Sequence, residues 1–440
     1  MIRLKFFLAA FIALGLSGFS QGADNEPPAG FVALFNGKDL AGWHGYDTKD
    51  PRKFQEMPAD QQQATREKSL EDIKKHWTIQ GADLVNDGNG LYLTTDKNYG
   101  DYELWIDYKT VPKADSGIYL KGVPQVQIWD FTDPSKFGLG ADKGSGGLWN
   151  NSAGKPGKDP LVLADKPLGE WNRFHIIQIG ARTTVYLNDK LVVNNAILEN
   201  YFDRSQPLLS RGPIQLQTHG GEIRWKNIFL REIPIEEATA KLQAAADKEG
   251  FKSLFNGTDL TGWAGAADNY EVVDGAIRCK AGKGGVLHTK DEYSDFVVRL
   301  EFKVPPGGNN GLAIRYPGQG DTAYVGMCEL QVLDNEAPQY AKLDKRQYHG
   351  SAYGMAAAAR GYQRPAGQWN YQEVTVKGST ITVELNGSII LNTDLSKITE
   401  YMANSPHPGK DRTQGFFGFA GHGDAVSFRN VQIKSLGAAK

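Results

Sequence analysis

A thirteen-residue segment occurs twice in this chain and determines how the rest of the sequence is divided. Residues 31–43 read FVALFNGKDLAGW and residues 251–263 read FKSLFNGTDLTGW, with nine of the thirteen positions identical. The spacing of 220 residues is far longer than the repeat unit of a solenoid, which is about 20–50 residues. The 440-residue chain is therefore predicted to hold two copies of one domain, each large enough to bury a core.

The repeated segment has the composition of a short strand followed by a tight corner. An Asn-Gly pair and an Asp, which favour turns, separate its apolar start from its terminal Trp. We interpret Phe31, Leu34 and Phe35 as an apolar edge, and Leu40 and Trp43 as residues that return to the core at one end of a β domain. A glycine count of 51 and an aromatic content of 11% favour short strands joined by tight turns.

Residues 1–22 have the pattern of a secretory signal peptide. Arg3 and Lys5 precede an apolar run, and small residues lie where a signal peptidase would cleave near Gly22. The apolar run is too short to span a membrane, and no Cys near the cleavage site offers a lipid anchor. We therefore expect an exported protein, periplasmic or extracellular, without a membrane anchor.

Charge and cysteine content narrow the classes of partner. A formal net charge of −2 gives no indication of nucleic-acid binding. Export permits a disulfide between Cys279 and Cys328, although two isolated buried thiols fit as well. No metal or other cofactor is predicted. The acidic turn at residues 87–89 leaves Ca²⁺ open, but its spacing fits no known calcium loop.

The two halves contain similar segments in the same order. The first domain is predicted over residues 31–233, with a polar helical insertion near 44–77, and the second over residues 251–436. A helical linker is expected over residues 234–250. About ten short segments in each half predict two tandem antiparallel β-sandwiches, with a hairpin turn at residues 87–90 in the first.

Polar residues recur at matching positions of strands that are otherwise apolar. Gln125 and Gln127 in the first copy match Glu329 and Gln331 in the second, and strand alternation puts each pair on one face. That face is either the solvated side of a sheet or the floor of a binding groove. The other matched positions are Asp130 with Asp334, Lys121 with Arg315, and Trp149 with Tyr353.

The basic and aromatic pairs each have two interpretations. The long side chains of Lys121 and Arg315 could hold a sugar hydroxyl or a carboxylate, or could cover the sheet with their stems. Trp149 and Tyr353 could stack on a sugar ring or could anchor a loop.

One histidine lies at the same position in each copy. His219 and His422 each directly precede a Gly and stand eight residues before a matching Asn, although the chain contains only eight His. Histidine is the side chain best suited to move a proton near neutral pH. The alternative is a buried His that hydrogen-bonds a turn.

Taken together, these motifs resemble the 3-keto-disaccharide hydrolase domain family. The resemblance rests on the LFNG-x-DL-x-GW opening, the (E/Q)-x-Q-x-x-D strand, the (E/Q)-WN segment and the closing HG…(K/R)-N strand, and it covers both halves. It implies a concanavalin-like jelly-roll sandwich whose concave face takes a glycoside oxidised at carbon 3. Members of the family are associated with cleaving 3-keto-glucosides by 1,2-elimination and hydration, or by net hydrolysis.

The chemistry of such a substrate suggests roles for the matched residues. A ketone at carbon 3 acidifies the proton on carbon 2, so a moderate base can remove it while an acid assists the leaving group. Donors near the ketone oxygen would stabilise the enolate. For the second copy we expect Glu329 and His422 to be catalytic, with four substrate-binding residues: Arg315, Gln331, Asp334 and Tyr353.

The first copy has Gln125 in place of the acid. Glutamine cannot exchange a proton usefully at neutral pH, so we expect the second domain to be the more catalytic. The first would then bind substrate or use His219 alone. Its expected substrate-binding residues are Lys121, Gln125, Gln127, Asp130 and Trp149.

Two other classes of function remain open. Jelly-roll sandwiches also serve as non-catalytic carbohydrate-binding domains, which need aromatic and polar groups but no proton-transfer group. Convergence of Glu329 and His422 in one cleft would separate the enzyme from this alternative. An adhesion or scaffold domain would be favoured if neither copy had a concave polar face.

Overall fold

The structure is a computed structural model that describes residues 24–437. The signal peptide predicted for residues 1–22 lies outside the described residues. The first half forms a β-sandwich of thirteen strands. These are β1 (Val32–Ala33), β2 (Trp43–Tyr46), β3 (Trp77–Gln80), β4 (Asp83–Asn86), β5 (Tyr92–Thr95), β6 (Tyr102–Thr110), β7 (Ser116–Leu120), β8 (Val123–Ile128), β9 (Asn172–Ile179), β10 (Arg182–Leu187), β11 (Lys190–Ile197), β12 (Gln215–Leu216) and β13 (Ile223–Glu232).

The first sandwich consists of two antiparallel sheets. The sheet of eight strands, called the back sheet here, has the order β11-β10-β9-β6-β13-β4-β3, with β1 also paired to β13. The sheet of five strands, called the front sheet, has the order β2-β5-β12-β7-β8. The apolar core of the domain lies between these two sheets.

The second half repeats this arrangement strand for strand. Its strands are β14 (Lys252–Ser253), β15 (Trp263–Gly265), β16 (Tyr270–Val273), β17 (Ala276–Cys279), β18 (Gly285–Tyr293), β19 (Phe296–Lys303), β20 (Asn309–Tyr316), β21 (Cys328–Leu333), β22 (Trp369–Lys377), β23 (Thr380–Leu385), β24 (Ser388–Asp394), β25 (Gly415–Gly421) and β26 (Ser427–Ser435). Its back sheet has the order β24-β23-β22-β19-β26-β17-β16, with β14 on β26, and its front sheet has the order β15-β18-β25-β20-β21. The predicted fold of two tandem antiparallel jelly-roll sandwiches is confirmed, with thirteen strands in each half rather than about ten.

The repeated sequence segment carries the chain from the back sheet to the front sheet. β1 pairs with β13, and β2 begins at Trp43 beside β5. In the corner between them, the Asn36 side chain accepts from two backbone N–H groups and donates to Asp39 at 2.8 Å. The indole of Trp43 then donates to Leu34 O at 2.7 Å, and the second copy repeats each of these bonds.

The insertion of the first domain forms two helices, α1 (Pro51–Gln55) and α2 (Ala59–His76). α2 is largely polar and contributes the fully buried Ile73 to the core. The hairpin predicted at residues 87–90 is wrong, because β4 belongs to the back sheet and β5 to the front sheet. The turn residues are present, and the Asn86 side chain bonds Asn89 O and Gly88 N. However, turn chemistry does not specify which sheet the next strand joins.

The linker contains the helix α3 (Ile235–Ala245), and one further short helix, α4 (Thr322–Val325), lies in the second domain. α3 buries Ala238 and Leu242 in an apolar cluster with Ile179 of the first sandwich and Tyr371 of the second. The two sandwiches are therefore packed against a shared helix.

Both cysteines are buried free thiols, so the disulfide that the sequence left open is absent. Burial raises the pKa of the Cys279 thiol. In residues 24–437, no helix combines the length and the apolar character needed to cross a membrane.

Candidate functional site

The matched polar residues lie on the outer face of each front sheet. In β21, Leu330 and Val332 enter the core, whereas Glu329 and Gln331 project to the opposite face. Glu329 and Gln331 are nevertheless buried, because the loop after β21 returns to pair with that strand at Ala352. The two polar side chains therefore share one face of the strand, and this face is covered rather than open to solvent.

Small residues form the floor beside Glu329. Gly311 and Ala313 of β20 lie next to Gly418 and Ala420 of β25 in the ladder. A Cβ at position 311 would overlap the Glu329 carboxylate, so only glycine lets that side chain lie across β20. A cavity lies beside Glu329 on this face of the sheet.

This cavity has a volume of about 320 Å³ and is bounded by β20, β21, α4 and the loop that follows β21. Its volume is in the range of natural small-ligand sites. Polar and aromatic groups predominate in its lining. The lining residues are Asn309, Asp321, Ala323, Tyr324, Glu329, Gln331, Leu333, Tyr340, Leu343, Gln347, Tyr353 and His422.

Glu329 and His422 meet in this cavity. His422 Nε2 lies 3.3 Å from Glu329 Oε1, and the Thr322 hydroxyl bonds the other carboxylate oxygen, Oε2. The Glu329 side chain is 4% exposed, whereas that of His422 is 46% exposed. A buried carboxylate is thus held behind a histidine that faces solvent.

The Glu329 carboxylate affects both the pKa and the tautomer of His422. The hydrogen bond to Glu329 raises the pKa of His422, opposed by partial burial and assisted by the charges of Glu329, Asp321 and Asp424. A carboxylate can only accept, so neutral His422 carries its proton on Nε2 and leaves Nδ1 as a base. A buried acid that orients a histidine in this way is a familiar arrangement for proton transfer.

The polar face of the first domain has different contents. Gln125 donates to Gln127, and Gln127 donates at 2.9 Å to Asp115, which pairs with Lys136 at 2.7 Å. These amides satisfy one another, and no carboxylate occupies the position of Glu329. His219, the counterpart of His422, is exposed.

The floor of this face is also filled. Tyr119 and Gln217 occupy the positions of Ala313 and Ala420 in the second domain. The hydroxyl of Tyr119 contacts Thr48 of the insertion at 3.1 Å, and Tyr92 does so at 3.0 Å. Large side chains and the start of the insertion therefore cover positions that are small in the second domain.

The side chains of Lys121 and Arg315 are buried in the interior rather than placed to bind substrate as we predicted. Both are buried, and their positive φ angles of 56° and 48° interrupt strand alternation and turn the side chains into the interior. Lys121 donates to Gly180 O at 2.8 Å, and burial lowers its pKa to about 8. Arg315 pairs with Asp295 at 2.9 Å and donates to three backbone carbonyls. We therefore revise their role from substrate binding to packing.

The two matched aspartates organise loops. Asp130 accepts from Lys113 N at 2.7 Å and from Thr132, and these bonds lower its pKa although burial acts in the opposite direction. Asp334 accepts from Gly307 N at 2.9 Å. Both aspartates therefore hold the chain at the end of β8 and β21, and substrate binding by them stays a prediction.

The matched aromatic residues differ between the domains. Trp149 packs edge-on against Trp129 and donates to Leu139 O at 3.0 Å, which anchors the loop that carries it. Tyr353 lines the cavity, and its hydroxyl accepts from Gln347 at 3.0 Å.

Some lining residues were missed by the sequence comparison. Thr322 and Tyr324 belong to α4, which lies between β20 and β21 where the first domain has only the turn Lys121–Gly122. Matching the two copies could not reveal residues that one copy lacks. The signal that could have found them is the helix-capping pattern at Asp321, whose side chain accepts from Ala323 N.

Among residues 24–437, no group of three or more His, Cys, Asp or Glu side chains is arranged to hold a metal ion. Asp87, in the acidic turn, pairs with His76 at 3.0 Å and accepts from Asn89 N.

Comparison with known proteins gives a curated relative and several similar solved structures. A 3-keto-disaccharide hydrolase from Bacteroides thetaiotaomicron is 28% identical over 238 residues, which are 44% of this chain and 81% of that protein. Two proposed glycosyl hydrolases from Parabacteroides distasonis have solved structures. One is 28% identical with a TM-score of 0.39 over 42% of this chain and 99% of its own, and the other is 25% identical with a TM-score of 0.37 over 46% and 98%.

Both sandwiches match one domain family. The 3-keto-alpha-glucoside-1,2-lyase-like domain matches residues 30–231 and again residues 250–434. These two segments coincide with the two sandwiches and cover most of the chain. The chain therefore belongs to the 3-keto-alpha-glucoside-1,2-lyase-like domain family.

Proposed function

We propose that the second domain cleaves the glycosidic bond of glycosides oxidised at carbon 3. One observation carries this proposal: Glu329 and His422 meet at 3.3 Å in a covered cavity of about 320 Å³. A carbohydrate-binding domain needs no proton-transfer pair, so this convergence favours an enzyme over a non-catalytic binder. Membership of the family and the name of the Bacteroides relative support the same substrate class.

In the proposed mechanism, His422 is the base and Glu329 orients it. Nδ1 of His422 takes the proton from carbon 2, which the neighbouring ketone acidifies, and Glu329 stabilises the imidazolium that forms. The bond between carbon 1 and the glycosidic oxygen breaks as a carbon 1–carbon 2 double bond forms, and the leaving oxygen takes up a proton. Addition of water to the resulting alkene completes a net hydrolysis.

A donor for the ketone oxygen is available in the same cavity. The Tyr353 hydroxyl accepts from Gln347 at 3.0 Å, so its own proton can be donated elsewhere. We propose that Tyr353 stabilises the enolate oxygen, because a hydrogen-bond donor already held in place lowers the energy of the charge that develops there. Gln331, which donates to Asn309 at 2.6 Å, completes the polar wall.

The first domain is proposed to be non-catalytic. Gln125 replaces the acid, and Tyr119 and Gln217 fill the floor of its polar face. These features favour the second candidate function, carbohydrate binding without turnover, for this domain alone. Binding to a glycan array tests this role. If the purified first domain with Trp149→Ala bound the array as strongly as the unaltered full chain, the result would argue against sugar contact at that loop.

The test uses a 3-keto-glucoside with a chromogenic leaving group beside its unoxidised parent. We expect release from the keto compound alone, and a loss of about 10²–10⁴-fold in kcat for His422→Ala, as is usual for removal of a general base. The matched control is His219→Ala in the first domain, which should retain full activity. Equal release from both compounds, or loss of activity in His219→Ala, would contradict the proposal.

We also propose that the protein is exported, periplasmic or extracellular. The signal-peptide pattern in residues 1–22 supports this location. Intact mass of the protein recovered from the producing cell should show a chain that begins just after Gly22.

A further inference from the structure

The helix α4 is a feature of the second domain that the first domain lacks. β7 and β8 are joined by the turn Lys121–Gly122, whereas residues 317–327 join β20 and β21 and contain α4. Thr322 of this helix bonds Glu329 Oε2, and Tyr324 lines the cavity. α4 therefore fixes one oxygen of the buried carboxylate and forms one wall of the site.

α4 depends on tertiary contacts for its position. The helix has only four residues, far below the ~12–15 residues at which an isolated helix becomes marginally stable. One residue that supports it is His407, which is 4% exposed. His407 Nδ1 donates to Ala323 O at 2.7 Å, and the ring lies between Tyr324 and Tyr401 at centroid distances of 4.8 and 5.3 Å.

The segment that carries His407 is itself held against α4. We call residues 405–412 the strap. Gly409 N donates to Tyr324 O at 2.9 Å, and a Cβ on Gly409 would overlap the carbonyl oxygens that end the helix. Arg315, whose matched position first suggested a ligand contact, donates to Arg412 O at 2.8 Å and fixes the far end of the strap.

We propose that His407 is a positioning residue of the second-domain site: it holds α4 through Ala323 and Tyr324, so that Thr322 fixes the Glu329 carboxylate. This inference rests on the proposed function of the cavity. A carbonyl oxygen can only accept, so the His407 ring carries its proton on Nδ1. Burial also lowers the pKa of His407, which keeps the ring neutral near pH 7.

The first test is kinetic. His407→Ala should lower kcat on the chromogenic 3-keto-glucoside by about 10- to 100-fold with little change in KM, because small displacements of catalytic groups have effects of that size. His407→Asn keeps a side-chain donor near the position of Nδ1 and should recover most of the loss. If His407→Ala lowered kcat and His407→Asn did not recover it, the proposed hydrogen bond would be overturned.

A buried histidine of the first domain, at a position unrelated to that of His407, provides the control. His44 is 3% exposed, its Nδ1 lies 2.7 Å from Asp96, and its ring stacks on Phe54 at 5.7 Å. His44→Ala removes a comparable buried ring and hydrogen bond, so it should lower thermal stability while leaving kcat unchanged. If both variants lowered kcat equally, the effect of His407 would be general destabilisation and the proposal would fail.

A double-mutant cycle tests the route from His407 to Glu329. Thr322→Val should lower kcat in the wild-type background and have almost no effect in His407→Ala, because α4 has already moved there. Additive effects of the two substitutions would show that His407 does not act through Thr322. Where His407→Ala does not fold, His407→Gln replaces it in the cycle.

A measurement without substrate separates this inference from the proposed function. An inactive wild-type protein would remove the proposed function but not the support of α4. Amide hydrogen exchange then tests whether His407 supports α4. Val325 N donates to Asp321 O at 2.9 Å at this helix, so exchange of the Val325 amide reports on whether the helix is formed. The Val325 amide should exchange faster in His407→Ala than in wild type and in His44→Ala, and unchanged exchange would overturn the inference.

Discussion

Glu329 and Gln125 differ by one atom, and this difference separates the two domains chemically. Both side chains lie across a glycine of the neighbouring strand, Gly311 or Gly117, and both share a strand face with a matched glutamine two residues further on. The carboxylate brings a negative charge that raises the pKa of a histidine and stabilises its imidazolium, and the neutral amide lacks this charge. At the residue scale, the second domain is therefore the one equipped for proton transfer.

The pair Glu329 and His422 should be visible in the pH dependence of activity. Because the hydrogen bond to Glu329 raises the pKa of His422, kcat/KM should rise with pH at a higher value than for an ordinary histidine. Glu329→Gln should lower kcat by about 10²-fold or more and move the remaining rise to lower pH. A pH–rate profile of both proteins checks this, and an unmoved acidic limb would contradict the assigned pair.

The same pair should affect stability in the opposite pH range. A raised folded-state pKa stabilises the protein below the ordinary pKa of histidine, and this stabilisation is lost as pH rises through the raised value. Thermal midpoints of wild type and Glu329→Gln should therefore differ most in acid and converge at alkaline pH. A difference that grew with pH would show that His422 is not the group concerned.

Gly311 offers a test that leaves every polar group in place. A Cβ at this position would overlap the carboxylate of Glu329, whereas at Gly117 the added atom would approach Gln125 Cδ to 2.8 Å. We expect Gly311→Ala to displace Glu329 and to lower kcat by about 10- to 100-fold. Gly117→Ala is the matched control and should alter thermal stability without affecting kcat.

At this scale the sequence predicted the positions that alternation and repetition could mark. Strand alternation placed Glu329 and Gln331 on one face, and His422 was singled out because a histidine stands at the matching position of the first copy. Lys121 and Arg315 were misassigned because a positive φ at the strand end reverses the direction of the side chain. Sequence alone does not show a local change of backbone conformation at a non-glycine residue.

At the scale of single elements, the repeated corner is the best-determined feature of the sequence. Its Asn, Asp and Trp were assigned to a turn and a core, and the structure gives each of them a specific hydrogen bond in both copies. The hairpin at residues 87–90 was wrong because β4 and β5 lie in different sheets. The physical reason is that the hydrogen bonds of a corner form between residues close in sequence. Which strand pairs with which depends on residues far apart in the chain.

The corner of the second domain should be a stability determinant with no catalytic role. Trp263 is 4% exposed, stacks on Phe419 at 5.1 Å and donates to Leu254 O. Trp263→Ala should lower the free energy of unfolding of that domain by about 3–5 kcal/mol, as for large core truncations. Denaturant unfolding measures this loss, and Trp263→Phe, which keeps most of the ring, should recover about half of it. A loss below 1 kcal/mol would show that the corner is not part of the cooperative core.

At the scale of the whole molecule, the sequence predicted two sandwiches and a helical linker but not their mutual packing. The turn tips at Gly180 and Gly387 lie so close that a Cβ on either would overlap the other domain's backbone. Ala181 N donates to Gly387 O at 3.0 Å across this contact. Such a contact depends on the shape of two finished domains, which no local pattern in either half encodes.

An ion pair between the sandwiches gives a test of that packing. Arg182 of the first domain bonds both carboxylate oxygens of Glu384 in the second, at 2.9 and 2.6 Å, with side chains 27% and 13% exposed. Removing the guanidinium would leave Glu384 buried without its partner and beside Glu373, whose pKa burial and then the charge of Glu384 already raise. The interface, rather than either core, should therefore weaken.

We expect Arg182→Ala to destabilise the molecule by about 1–3 kcal/mol, the usual cost of leaving a buried polar group unpaired. Thermal unfolding should separate into two transitions as the sandwiches uncouple, and kcat should stay unchanged because the cavity lies within the second domain. Lys97→Ala is the control, since its pair with Glu232 is 60% and 39% exposed and surface pairs contribute about 0–1 kcal/mol. A single unshifted transition in Arg182→Ala would show that α3 and the glycine contact suffice to couple the domains. Equal effects of the two substitutions would show that burial of the pair is irrelevant.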